Sequence, residues 1–188
     1  MPACYASEQK GYATTSPYST AIFLTAGKNA KEVNRGYIKG SGVKSEVIAG
    51  EHDANNPLDK ATVHPVLKVT AHYNYKDNKD GLQYDFAILT LRDPIDLSGK
   101  SNARAICLPD PTDTDFSDQP VLEVSGWGLT DGLDETSGSP VLKKTDLEIA
   151  SCKPWTGGKN RPDIICGKGK NKSDACKGDS GGIISISY

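Results

Sequence analysis

Residues 174–182 read Asp-Ala-Cys-Lys-Gly-Asp-Ser-Gly-Gly and carry the strongest signal in the chain. The glycines around Ser180 allow a tight backbone turn that exposes the serine hydroxyl. They also leave backbone N–H groups free to point at one position, as an oxyanion hole requires. A plain glycine-rich turn with an aspartate at its centre would look the same, so the stretch needs support from other motifs.

Three further motifs precede this stretch in the chain. Residues 84–89 (Tyr-Asp-Phe-Ala-Ile-Leu) place one carboxylate at the edge of an apolar strand, residues 106–109 read Ile-Cys-Leu-Pro, and residues 125–128 read Ser-Gly-Trp-Gly. In this order, with Gly-Asp-Ser-Gly-Gly at the end, the motifs resemble those of the chymotrypsin/trypsin family of serine proteases. Residues 47–53 also resemble that family's strand and loop after the catalytic histidine. The resemblance covers roughly residues 13 to 186.

The hydrophobic pattern predicts short strands separated by turn-rich loops. Predicted strands are Ser45–Gly50, Val63–Ala71, Phe86–Leu91, Val121–Ser125 and Ile183–Tyr188, and the continuous apolar run of Phe86–Leu91 is typical of a central strand. No window shows a long helical stripe. The resemblance implies an all-β fold of two six-stranded antiparallel Greek-key barrels, incomplete at both termini. We expect one partial serine protease domain over residues 1–188.

Composition excludes several other classes of protein. The chain has 188 residues with 36% apolar and 24% charged residues, as in a soluble globular protein. Its net charge of −2 is too small for a phosphate-binding surface, and no apolar run is long enough to cross a bilayer. The first ten residues have no signal-peptide pattern. We therefore expect a monomer that binds neither nucleic acid nor membrane.

The resemblance assigns a role to five residues near the motifs. Ser180 matches the nucleophile, and Asp85 matches the carboxylate that orients the catalytic imidazole. The N–H groups of Gly178 and Ser180 match the oxyanion hole. Asp179 matches the carboxylate that pairs with the new N-terminus after activation. Asp174 matches the floor of the specificity pocket, where a carboxylate would favour Arg or Lys before the scissile bond.

The catalytic histidine of the family is missing from its motif. Residues 24–29 read Leu-Thr-Ala-Gly-Lys-Asn, so Lys28 stands where the general base belongs. A free lysine has a pKa of about 10.4, and the carboxylate of Asp85 beside it would raise that pKa further. We expect a Lys28–Asp85 ion pair and an unactivated Ser180. The three histidines of the chain match ordinary surface or loop positions: His52, His64 and His72.

The cysteines point to disulfides and not to a metal site. The chain has five cysteines, no C-x-x-C pair and only three histidines, so we expect no metal and no cofactor. The resemblance implies a Cys152–Cys166 bridge and a partner for Cys176 beyond residue 188. Cys107 has Cys4 as a weak candidate partner.

Two bridges that are usual in the family lack both of their cysteines here. The matching positions are Ala13 with Asn29, and Leu122 with Ile186. Paired loss indicates a domain adapted to fewer disulfides, and we expect packing of Leu122 against Ile186 to replace the second bridge.

Two functions stay open at this point, and with them whether the chain is an enzyme. The first is a serine endopeptidase that cleaves after Arg or Lys when active and is inactive as written. The second is a non-catalytic protease homologue, or pseudoenzyme, that binds or regulates a protein or peptide partner. The family resemblance and the disulfides imply a secreted, extracellular protein.

Overall fold

A computed structural model describes residues 18–19, 22–25, 46–78, 81–98, 100–106, 121–154, 156–158, 164–170 and 173–186. Seven strand pairs in these ranges are antiparallel, and the ranges contain no helix, which confirms the all-β class. None of their segments is therefore a helix that could span a membrane. Closure of the sheets into barrels stays a prediction.

The described residues form twelve strands. In chain order they are β1 Tyr18–Ser19, β2 Ile22–Thr25, β3 Glu46–Ala49, β4 Thr62–Ala71, β5 Lys76–Asn78, β6 Gly81–Gln83, β7 Ala87–Leu91, β8 Ile95–Asp96, β9 Leu122–Gly126, β10 Lys143–Ala150, β11 Cys166–Gly169 and β12 Ile184–Ile186.

The backbone divides into two compact units. The first comprises Met1–Asn78 and Leu82–Leu108, and the second comprises Lys79–Gly81 and Pro109–Tyr188. The expectation of a single domain over residues 1–188 stays a prediction.

A four-stranded sheet in the order β2-β7-β4-β3 forms the centre of the first unit. The apolar run in β7 lies between two neighbours, as predicted for a central strand, and its end residues Ala87 and Leu91 are buried. Leu91 packs with Ala49 and Ile95 in the core of this unit. Strands β3 and β4 confirm two further predictions from the sequence, and short pairings join β1 to β8 and β5 to β6.

A second four-stranded sheet, in the order β11-β10-β9-β12, forms the other unit. Alternate residues of β9 and one residue of β10 point into its core, which consists of Leu122, Val124 and Leu147. Strands β9 and β12 were predicted, but β10 and β11 were not. Half of the residues of β10 (KKTDLEIA) are exposed, and all four of these are charged, while β11 (CGKG) has half its residues as glycine.

The predicted disulfide between Cys152 and Cys166 is confirmed. It links the residues just after β10 to the first residue of β11, with the two Cα atoms 5.3 Å apart. Closing a loop of this length contributes about 3 kcal/mol in the chain-entropy account. Cys176 is a free, half-buried thiol. Cys4 and Cys107 lie outside the described residues, so their pairing stays a prediction.

The second pair of lost cysteine positions lies directly opposite across two strands. Ile186 of β12 and Leu122 of β9 are paired in the antiparallel register. The side chain of Leu122 is only 1% exposed. Its packing against Ile186 in place of the family's disulfide stays a prediction.

We predict that Leu122→Ala destabilises the protein by about 2–5 kcal/mol, because it leaves a cavity in the core of the second unit. Urea unfolding measures the loss. The matched control is Leu133→Ala, since Leu133 is 98% exposed in the same unit and its truncation should change stability by less than about 0.5 kcal/mol. Equal effects of the two substitutions would contradict the assignment of this core.

Candidate active site

Residues 176–182 fold as two successive tight turns around Ser180, here called the serine turns. The N–H of Asp179 donates to the carbonyl of Cys176 (3.0 Å), and the N–H of Gly182 donates to the carbonyl of Asp179 (2.9 Å). Ser180 lies within the second turn and is exposed, so its hydroxyl is accessible. The sequence prediction of a tight, glycine-dependent turn is therefore confirmed.

Gly178 is required in the first turn for two reasons. Its φ is +104°, while Lys177 has no positive φ, which is the pattern of a type II turn with glycine in third place. A Cβ at this position would also lie 2.9 Å from the Cα of Gly128. Conformation and space both exclude a side chain at residue 178.

A hydrogen bond from outside the motif orients the peptide group between Lys177 and Gly178. The N–H of Leu129 donates to the carbonyl of Lys177 (2.9 Å). The carbonyl and the N–H of one trans peptide point in opposite directions. This bond therefore sets the direction of the Gly178 N–H, one of the two predicted oxyanion-hole donors. The sequence analysis had no signal for Leu129, because it acts through its backbone.

The carboxylate of Asp179 joins the serine motif to the Ser-Gly-Trp-Gly motif. Its Oδ1 accepts from the N–H of Gly128 (2.8 Å), and its Oδ2 accepts from the N–H of Cys176 (2.9 Å). A Cβ on Gly126 would overlap the carboxylate, and one on Gly128 would lie 2.6 Å from Oδ1. The two glycines of the second motif therefore make room for this carboxylate. Its pairing with a chain terminus stays a prediction.

Asp174 lies at the start of the same stretch, with its carboxylate held by two backbone groups. Oδ1 accepts from the N–H of Ala175 (2.9 Å), and Oδ2 accepts from the N–H of Gly169 (3.3 Å). Asp174 is exposed, and together with Asp179 it lines a cleft of about 420 Å³ in the second unit. Lys144 also lines this cleft, and its hydrogen bond to Glu123 raises the pKa of its ammonium group, so it stays charged.

Asp85 belongs to the first unit and is half-buried just before β7. The N–H of Phe86 donates to the carbonyl of Tyr84 (2.8 Å) across Asp85, and Tyr84 has a φ of +52°. The ring of His72 lies 4.7 Å from the rings of both Tyr84 and Phe86, and its backbone N–H donates to the Phe86 carbonyl (3.1 Å). His72 therefore fixes the segment that carries Asp85.

Comparison with known proteins now decides the family. The family model described as trypsin matches residues 5–184, which is most of the chain.

The chain belongs to the trypsin family.

Three relatives with different names are 30–32% identical to this chain. The chain is 32% identical over 122 residues to phenoloxidase-activating factor 3 of Holotrichia diomphalia, which covers 63% of this chain and 34% of that protein. It is 32% identical over 126 residues to transmembrane protease serine 7 of Mus musculus, covering 65% and 15% respectively. It is 30% identical over 145 residues to the human complement C1r subcomponent-like protein, covering 72% and 28%. The chain thus spans at most about a third of these relatives.

Lys28, which the sequence analysis predicts to stand at the family's histidine position, lies outside the described residues. The strand residues nearest in the chain to Lys28 and to Asp85 are described. Thr25 is the last residue of β2 and pairs with Ala87, the first residue of β7. The chain therefore leaves β2 towards Lys28 at the same end of the sheet where it enters β7 from Asp85.

The three histidines of this trypsin-family chain occupy different environments. His52 is exposed in the loop after β3, as expected. His64 was expected at an ordinary surface or loop position, but it is buried within β4, because it lies on the strand face that points into the first unit. Its Nε2 lies 2.7 Å from the Thr62 hydroxyl. His72, half-buried, contacts the Asp85 segment, a role that the sequence analysis missed although the aromatic residues beside Asp85 were visible.

The loop after β3 is organised by the carboxylate of Asp59. Its Oδ2 accepts from the N–H groups of Asp53 (2.7 Å) and His52 (3.0 Å), and its Oδ1 accepts from the side-chain amide of Asn56 (3.2 Å). Within the described part of the chain, no three His, Cys, Asp or Glu side chains are grouped as metal ligands. The main partners of the Asp59 carboxylate are the backbone N–H groups of His52 and Asp53.

We predict that Asp179→Asn destabilises the protein by about 1–3 kcal/mol, because the amide offers one acceptor oxygen to two N–H donors and leaves one of them unpaired. Urea unfolding measures the change. Asp131→Asn is the control, since Oδ1 of Asp131 accepts the Leu133 N–H (2.9 Å) in an exposed loop and the side-chain oxygen of an asparagine can replace it. A loss for Asp179→Asn no larger than for this control would contradict the role of Asp179.

The loop after β3 should respond to acid through Asp59. The N–H of Asp53 is the main group that lowers the pKa of Asp59 below its ordinary value of 3.8, followed by the N–H of His52. Because the folded pKa is the lower one, the stabilising contribution is complete above pH 3.8 and is lost as the pH falls through the folded pKa.

We therefore predict that the amide NMR signals of His52 and Asp53 shift together only below pH 3.8, with a midpoint under that value. Asp59→Asn should abolish this titration, because the neutral amide does not ionise. Signals that shift with a midpoint at or above 3.8, or that titrate unchanged in the Asn variant, would refute the assignment.

Proposed function

We propose that this chain is a trypsin-family homologue that does not cleave peptide bonds as written and that binds a protein or peptide partner. One observation carries the proposal: Lys28 stands at the histidine position of the Leu-Thr-Ala-Gly-Lys-Asn stretch. The binding role rests on the parts of the site that remain, which are the serine turns and the carboxylate of Asp174.

The strand register supports an ion pair in place of general-base chemistry. Lys28 follows the end of β2 by three residues, and Asp85 precedes the start of β7 by two. Since Thr25 and Ala87 are paired, the chain leaves β2 in the direction of Lys28 at the end of the sheet where it enters β7 from Asp85. A carboxylate near an ammonium group favours its charged form and raises its pKa. A charged ammonium has no lone pair, so it cannot accept the proton of a serine hydroxyl.

The remaining groups are suited to binding. The type II turn at Gly178 sets a backbone N–H donor, and Asp174 presents an exposed carboxylate with two backbone donors behind it. A carboxylate of this kind can pair with a guanidinium or ammonium group. We infer that the partner supplies an arginine or lysine side chain. The name of one relative, phenoloxidase-activating factor 3, is consistent with a protein partner.

An active endopeptidase is the second candidate, and specific residues favour it. Ser180, Asp85 and Asp174 are all retained, and the Leu129 N–H fixes the Lys177–Gly178 peptide, which carries one of the predicted oxyanion-hole donors. For cleavage, Lys28 would have to lose its proton near neutral pH, which requires burial away from carboxylates. The proposed ion pair with Asp85 opposes this.

We further propose an extracellular location and a monomeric state. The Cys152–Cys166 disulfide supports an oxidising compartment, because such bonds persist outside the cytosol. The names of relatives include a transmembrane protease, so attachment of longer proteins of this family to a membrane is a separate question.

A fluorophosphonate probe tests the proposal, because it reacts with an activated serine. We predict no labelling of the 188-residue chain at Ser180, and labelling of a Lys28→His variant, which regains an imidazole at the family's base position. Hydrolysis of an arginine ester by the same variant would report turnover.

The controls separate the two candidate functions. Lys28→Ala should stay unlabelled, and Ser180→Ala added to Lys28→His should remove any label. If the unchanged chain were labelled at Ser180 and hydrolysed the ester, the endopeptidase would be the correct function and the proposal would fall.

A further inference from the structure

We infer that Gly169 is a specificity-positioning residue: it sets the place of the Asp174 carboxylate and so the affinity for a basic side chain. This inference rests on the proposed function, because it assumes that Asp174 receives an arginine or lysine of the partner.

The strand that ends at Gly169 is fixed at both ends. Its first residue, Cys166, forms the disulfide with Cys152, and its last residue, Gly169, is paired with Leu147 in the register with β10. Leu147 is buried in the core of the second unit. The backbone of Gly169 is thus held as part of the sheet.

Lys170 and Ser173, which follow this strand in the chain, are held by backbone hydrogen bonds. The N–H of Lys170 donates to the carbonyl of Asp146 on β10 (3.2 Å), and the N–H of Ser173 donates to the carbonyl of Lys170 (2.9 Å). The N–H of Gly169 then donates to Oδ2 of Asp174 (3.3 Å). One peptide group at the end of β11 therefore orients the carboxylate directly.

Close approach, and not conformation, demands glycine at residue 169. Gly169 does not have a positive φ, so its backbone would accept an ordinary residue. A Cβ there would overlap the carbonyl oxygen of Ser173 and would lie 2.9 Å from the Cα of Asp174. Both obstacles are backbone atoms, which cannot rotate away as a flexible side chain could. A methyl group at residue 169 must therefore displace the backbone that carries Asp174.

Gly167 provides a matched control two residues earlier in the same strand. A Cβ on Gly167 would lie 3.0 Å from Cδ1 of Leu147 and 3.1 Å from its Cβ, so it crowds the core side chain and not Asp174. Gly167→Ala and Gly169→Ala both add one methyl group to β11. Only the second disturbs the carboxylate.

The test measures binding of benzamidine, a small amidinium compound, to the 188-residue chain and its variants by isothermal titration calorimetry. We expect Asp174→Asn to abolish most of the affinity. Gly169→Ala should weaken binding at least about tenfold, which is the loss of roughly one charged hydrogen bond. Gly167→Ala should bind benzamidine like the unchanged chain, even where its melting temperature is lower.

Two further variants keep the test decisive if Gly169→Ala does not fold. Asp174→Glu retains the charge on an exposed residue but moves the carboxylate by one methylene, so it cannot keep the bonds to both Gly169 and Ala175. We expect it to weaken binding by a similar factor. Gly169→Ala in the Asp174→Asn background should cost no further affinity, because its effect passes through the carboxylate.

The outcomes distinguish this inference from the function on which it rests. If the folded, unchanged chain bound no benzamidine, the proposed basic-residue site would fail, and the positioning role with it. If the chain bound benzamidine and lost it with Asp174→Asn, but Asp174→Glu and a folded Gly169→Ala bound as tightly as the unchanged chain, the site would stand and the role of Gly169 would be refuted.

Discussion

The second unit depends on the Asp179 carboxylate, which accepts one N–H from each of two distant segments. Gly128 belongs to the loop after β9 and lies 51 positions before Asp179, whereas Cys176 belongs to the serine turns, so one side chain connects these two segments. A carboxylate can do this because its two oxygens accept in different directions, and hydrogen bonds to a charged acceptor are stronger than neutral ones. The glycines at positions 126 and 128 are a consequence, since any side chain there would occupy the carboxylate's space.

Motif residues were easier to identify from the sequence than the strands around them. Motif residues were predictable because their chemistry demands particular side chains: glycines at tight turns, a serine, and carboxylates at fixed distances along the chain. The central strand β7 and the cores around Leu91 and Leu122 were predictable from apolar runs. Strand β10 was not, because four of its eight residues are charged and exposed (Lys143, Lys144, Asp146 and Glu148) and only Leu147 is fully buried.

Contacts made by backbone groups were invisible in the sequence. The Leu129 N–H that orients the Lys177 carbonyl carries no side-chain signal, and neither does the Gly169 N–H that holds Asp174. His72 was visible but was assigned an ordinary position, because its contact with the residues on either side of Asp85 depends on the turn with positive φ at Tyr84. Periodicity and motif spacing depend on side chains. They therefore do not predict the parts of a site that are formed by backbone peptide groups.

The same distinction bears on the proposed function, in which Lys28 takes the place of the family's histidine. The serine turns, the oxyanion donor and the carboxylate of Asp174 are each held by backbone hydrogen bonds within the second unit. Residue 28 belongs to the first unit, and none of these bonds needs its side chain. On the proposed function, an ammonium group in place of an imidazole would remove the capacity to accept a proton and would leave in place the groups proposed to bind a basic side chain. Where selection acts on binding alone, the substitution costs the second unit nothing, and an ion pair with Asp85 would offset the loss of the imidazole's hydrogen bond in the first.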